Sequence, residues 1–191
     1  MAIITVLGSI ILGVSLAASC GLRAFLPLFV VGMGARFGLV DLGEAFVWLS
    51  STPALLALAV GVGCELLGDK VPFVNHLLDL LATPVRTAAG MLVCAAALVD
   101  LPVWVVALLA IILGGGVALA VHVTKSGLRA TSTAATAGAS TPVHSLLEDA
   151  VCFAASVLSV VFWLIAVVVA VAGVALFGFS ARAVYQRLTR A

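Results

Sequence analysis

Apolar residues run along this chain in long unbroken stretches, with polar residues gathered between them. Five stretches approach spanning length: Ala2 to Cys20, Pro53 to Leu67 (extendable through Gly68), Pro84 to Val99, Leu101 to Val121, and Ala150 to Phe179. A helix that crosses a bilayer takes about 20 apolar residues at 1.5 Å rise each, so the second and third are short. Backbone in lipid must satisfy its own hydrogen bonds, which leaves helices or closed barrels. Barrel strands alternate apolar and polar side chains over about ten positions. Continuous apolar runs therefore predict an all-α chain. Helix starts are marked by a capping residue before proline: Ser51 or Thr52 before Pro53, Thr83 before Pro84, and Asp100 before Leu101-Pro102.

Two stretches fit none of these spans. "GLRAFLPLFVVGMGARFG" is apolar but carries Arg23, Pro27 and Arg36, and "KSGLRATSTAATAGASTPVH" is built of small, weakly polar residues. Such composition suits close packing between helices rather than lipid exposure. The two share the letters GLRA, at 21–24 and 127–130. Each half also has a Pro, His, Leu-Leu, acid order, with His76 and Asp79 in one and His144, Glu148 and Asp149 in the other. These segments read as short amphipathic helices. The pattern suggests a duplication with halves 1–100 and 101–179, followed by a basic tail at 180–191. With re-entrant or broken GLRA segments, three spans separate the copies, and an odd count inverts one against the other. The expected architecture is a polytopic transmembrane bundle of about five to seven segments, a single domain over 1–191.

Composition sharpens this. The chain is 64% hydrophobic and 9% charged, with mean hydropathy +1.36, against about 25% charged residues in soluble domains. A soluble chain of 191 residues has no room to hide that much apolar surface. The expected partner is the lipid bilayer, and the expected location a membrane crossed several times. The tail's Arg182, Arg187 and Arg190 place the C-terminus in the cytoplasm by the positive-inside rule. The nine Lys and Arg are scattered, which argues against nucleic acid. The N-terminus lacks the positive region of a signal peptide and reads as a retained first helix. Cys20, Cys64, Cys94 and Cys152 are widely spaced and read as small buried hydrophobes, with disulfides or a thiolate metal site as the alternatives. Small residues on several helices allow packing within one chain or between copies, so a homo-oligomer is an open expectation.

Charge in so apolar a chain is the candidate chemistry. An arginine at membrane depth costs roughly 2.5–3.5 kcal/mol on insertion scales and persists where paired or wet. Arg23 and Arg129 have three readings: snorkelling to head groups, structural ion pairs, or a substrate pathway. Acidic partners are Glu65, Asp69, Asp79, Glu148 and Asp149, and Glu65 and Asp69 share a helix face by their i, i+4 spacing. The pathway reading takes Arg23, Glu65, Asp69, Lys70, Arg129, Glu148 and Asp149. A metal reading takes His76 with Asp79 and His144 with Glu148, each placing imidazole and carboxylate on one face. Its alternative is a pair of amphipathic helices with solvated charges. No GxSxG, HExxH or P-loop occurs, so neither an enzyme nor a cofactor is expected. Gly114 to Gly116 read as a close-packing or bending point.

The strings "GLRAFLPL", "ELLGDKVP", "TKSGLRA" and "LLEDA", in that order, resemble the bacterial membrane family labelled domain of unknown function 4126, over nearly the whole chain. The resemblance points to Arg23, Pro27, Glu65, Asp69, Lys70, Pro72, Lys125, Arg129, Glu148 and Asp149. The family pattern carries an acid three residues after the DK-x-P proline, where this chain has Asn75. The expected function is a small transporter or channel-like protein moving an ion or small polar solute, against a non-transporting scaffold or assembly factor.

Overall fold

The computed structural model describes residues 2–68, 75–136 and 141–161, with side chains for 5–68, 82–128 and 145–161. Every regular element among them is helical: α1 (Ala2–Leu22), α2 (Phe25–Arg36), a 3-10 turn (Glu44–Ser50), α3 (Thr52–Gly68), α4 (Asn75–Ala97), α5 (Val103–Leu109), a π-helical stretch (Ala110–Gly115), α6 (Gly116–Thr136) and α7 (Thr141–Val161). The all-α expectation holds. α5, the π stretch and α6 run on as one, since Leu109, Ala110 and Gly116 keep right-handed helical dihedrals.

The helices run alternately between two ends of a bundle. α1 ends at Arg23. α2 turns back, so that Gly34 reaches Val160 and Gly32 reaches Leu49 and Leu55. α3 returns to the Arg23 end, where its Glu65 meets Ala24. α4 leaves it, passing Cys94 beside Gly13. The α5–α6 run comes back alongside α4, and α7 leaves with Asp149 at Arg23 and Val160 at Gly34. α1 is the hub, packed on α2, α4, α6 and α7. Leu12, Leu16, Ala17, Val93 and Ala118 are buried around it, while Trp104, Leu108, Ile111 and Ile112 of the α5–π run face outward.

Glycine sets the closest approach. A Cβ on Gly90 would lie 2.7 Å from the Gly114 carbonyl oxygen, and one on Gly114 would lie 2.6 Å from that of Gly90. So Gly114 serves as the expected close-packing point, whereas nothing lies near Gly116.

Among the described residues Thr5–Leu22 and Val103–Leu128 are long and apolar enough to cross a membrane, and the Glu44–Ser50 and Thr52–Gly68 pair, bent by 66°, brings the number to three if taken as one span. That is fewer than the about five to seven segments expected from runs of spanning length. The apolar helices Phe25–Arg36 and Ala82–Ala97 are short, and the fifth run lies largely beyond residue 161, outside the described residues. The tail at 180–191 also lies outside them.

Four sequence expectations change. Pro84 lies inside α4 rather than starting a helix after Thr83. The His76–Asp79 and His144–Asp149 segments are opening turns of α4 and α7 rather than separate short helices. Asp100 makes the expected corner through a left-handed backbone, φ 58°, a conformation short polar residues tolerate, but Pro102 takes the capping position without a side-chain bond. The two GLRA segments share one end of the bundle, not opposite ends: Lys125 binds the Leu22 carbonyl, and Gly21 packs on Ala118 and Val121. Between them the chain makes an even number of passes (α2, α3, α4 and α5–α6), which undoes the expected inversion. The Ser51 cap is present, its Oγ accepting from Ala54 N at 3.4 Å.

Candidate functional site

The α1–α2 junction is a helix broken at Arg23–Ala24. Breaking a helix strands carbonyls on one side and amides on the other. Charged side chains from other helices take them up. Glu65 of α3 accepts from Ala24 N at 2.9 Å through Oε1 and from Phe25 N at 3.2 Å through Oε2. A carboxylate is favoured at a helix N-terminus by the amides and the helix dipole. Lys125 of α6 donates to the Leu22 carbonyl at 2.8 Å, the matching arrangement at the C-terminal end of α1.

The surrounding charges interlock. Arg23 is 1% exposed; its Nη1 donates to the Glu65 carbonyl and its Nη2 to Ser145 Oγ, both at 3.2 Å, and it is in ion-pair contact with Asp149. Lys125 Nζ lies 2.8 Å from Glu148 Oε2. Arg86 Nη2 lies 3.7 Å from Glu65 Oε1. Among the described residues three cations therefore face three carboxylates, and their charges cancel. The cations are the deeper partners, at 1–6% side-chain exposure against 12–19% for the acids.

Behind Arg86 sits His122. Arg86 Nη1 lies 2.8 Å from His122 Nδ1, and His122 Nε2 lies 2.9 Å from Thr83 Oγ1. A guanidinium has donors only, so Nδ1 accepts. The ring is then neutral, with its proton on Nε2 directed to Thr83. This chain fixes the plane of the guanidinium, whose Nε has no hydrogen-bond partner among the described residues.

A family model described as a domain of unknown function, DUF4126, matches residues 10–183. The chain belongs to that family. No curated protein matches it, and no solved structure does.

Within this family member, four of the seven expected pathway residues come together: Arg23, Glu65, Glu148 and Asp149. Asp69 and Lys70 lie outside the described residues, as does the side chain of Arg129. The metal candidates His76, Asp79 and His144 have side chains outside the described residues, while Glu148 is held by Lys125. Among the described residues no group of three His, Cys, Asp or Glu is placed to hold a metal ion. Cys20, Cys94 and Cys152 are buried free thiols as expected, and Cys64 is exposed. Sequence reasoning left Arg86, His122, Thr83 and Ser145 out of the site. His122 directly follows the fourth apolar run, three residues before Lys125 and so on its face. An ionisable residue in an apolar run is itself a site signal. A pocket at the other end of α1 is lined by Thr5, Ser9, Gly38, Leu39 and Asp41, among others.

Proposed function

We propose that this chain is a small multi-pass membrane transporter or channel-like protein that moves an ion or small polar solute through the charged site at the α1–α2 break. The observation that carries the reading is the broken helix itself, its stranded amides and carbonyl held by Glu65 and Lys125 from other helices. Discontinuous helices with charged partners are the usual binding elements of secondary transporters. Each charge in an apolar bundle costs kcal/mol to insert, and backbone breaks at membrane depth are tolerated where protein or water surrounds them. The acids are the accessible rim of the cluster, where a solute arriving from outside would meet them first. The bacterial inner membrane with a cytoplasmic C-terminus, a non-enzymatic role without cofactor, and assembly into oligomers belong to the same proposal.

A scaffold is the second reading. It is favoured by the carboxylate already placed at each of Arg23, Arg86 and Lys125. Purified protein in liposomes separates the two. The transport reading expects saturable flux of at least one ion or small polar solute above protein-free vesicles, with most of it lost in Glu65→Gln. Flux no greater than that of empty vesicles across a broad panel, or flux unchanged by Glu65→Gln, rejects it.

A further inference from the structure

We infer that the α1–α2 break is an oxyanion-binding site in which the Glu65 carboxylate is a tethered occupant, displaceable by a small external carboxylate or phosphate. The inference deepens the transport reading by naming a solute class, and rests on that reading for this step alone; binding stands on its own geometry.

Two features converge on one point. The first is the N-terminus of α2, a helix of 12 residues, whose Ala24 and Phe25 amides each hold a different oxygen of one carboxylate. That is how helix N-termini hold phosphate and carboxylate ligands. The second is Arg86, 2% exposed and aimed at the same carboxylate from α4. Its Nη2 stops 3.7 Å from Glu65 Oε1, beyond hydrogen-bond length, and its Nε is buried with no partner among the described residues. A buried guanidinium with an idle Nε is costly to keep. The fork is held in place by His122 and Thr83 rather than by its acid. Glu65 satisfies the two amides but under-uses the arginine. A free oxyanion has no tether, so it is able to settle between the amides and the guanidinium and take the bidentate geometry that arginine favours.

The occupant is also able to leave. Glu65 lies three residues from the end of α3, whose Leu56, Val60 and Leu67 face outward, and its side chain is 12% exposed. Turning outward frees Ala24 N, Phe25 N and Arg86 together. The oxyanion has two sources, a dissolved ion or a lipid headgroup, and both present the same oxygens.

The test uses the full chain in neutral detergent, with thermal unfolding titrated by sodium phosphate and by sodium acetate against sodium chloride at matched ionic strength. The inference expects a saturable rise in midpoint with phosphate or acetate beyond chloride. In Glu65→Gln the charge of the tethered competitor is gone, and half-saturation falls on the order of tenfold, as for removal of an intramolecular ligand. Adding Arg86→Gln abolishes the effect. A Glu65→Gln chain that folds only with phosphate or acetate present also supports the inference; one that fails equally in all three salts counts against it. Nanodiscs identify the source. If a headgroup is the ligand, phosphatidylglycerol stabilises Glu65→Gln and added phosphate then does nothing further. If a free ion is the ligand, phosphate acts alike in phosphatidylcholine and phosphatidylglycerol. No preference over chloride in either native protein or Glu65→Gln, or a preference that survives Arg86→Gln, overturns the inference. Binding without flux leaves the oxyanion site standing and removes transport. Cation flux without anion binding does the reverse.

Discussion

Residues 21–24 and 127–130 spell the same four letters, yet the first copy marks a break and the second runs inside continuous α6. The cause lies four positions on. Pro27 follows Arg23 at that distance, whereas Thr133 follows Arg129. Proline has no amide to bond the carbonyl four residues back, and its ring clashes with that carbonyl. The helix therefore cannot pass Arg23 undistorted. A break also needs partners for the groups it strands. The first copy has them in Glu65 and Lys125, and Pro27 itself is fully buried. The arginine in a GLRA motif thus does not decide the local fold. The downstream proline and a carboxylate from another helix do.

The contrast is breakable from either side. Removing the partner should cost most. Glu65→Ala leaves two amides and the Arg86 guanidinium without their carboxylate, and loss of one member of a buried ion pair costs about 3–5 kcal/mol. Denaturant unfolding in detergent reads this directly, and a loss under about 1 kcal/mol would mean that water already serves those groups. Importing the break comes next. Thr133→Pro places the first copy's proline in the second, inside α6, at about 3 kcal/mol. A variant as stable as the parent would show that residues near 129 are already broken in solution. The smallest effect is expected at the glycine seam, away from the charges. Gly90→Ala brings a methyl group to 2.7 Å from the Gly114 carbonyl oxygen, an overpacking of about 1–3 kcal/mol. It should lower the unfolding midpoint without altering anion response, and an altered response would mean that seam and charged end move together.

The helical class was legible in the sequence because unbroken apolar runs have one reading in lipid. The chain also displayed Arg23, Glu65, Glu148 and Asp149 as site residues, since charges in such a sequence stand out. Their pairing was not legible. Glu65 reaches back to residues 24 and 25, and Asp149 to Arg23, which depends on how α3 and α7 align with α1. The inverted arrangement failed because α2, with 12 residues, was discounted as a pass, and one pass changes the parity. Pro84 misled for a related reason. Proline often opens a helix, but here α4 starts earlier and carries it. His122 and Arg86 gave little signal because each is a lone ionisable residue at the edge of an apolar run, and their meeting is a contact between α4 and α6.

The account stands on Arg23 being drawn inward to its acid. A double-mutant cycle of Arg23→Gln and Asp149→Asn, read by unfolding free energy in detergent, tests that contact without reference to any solute. Groups sharing a buried charged network couple by about 0.5–3 kcal/mol, and this pair should fall in the upper half of that range. Additive single effects, within about 0.3 kcal/mol, would place Arg23 and Asp149 apart and contradict the account.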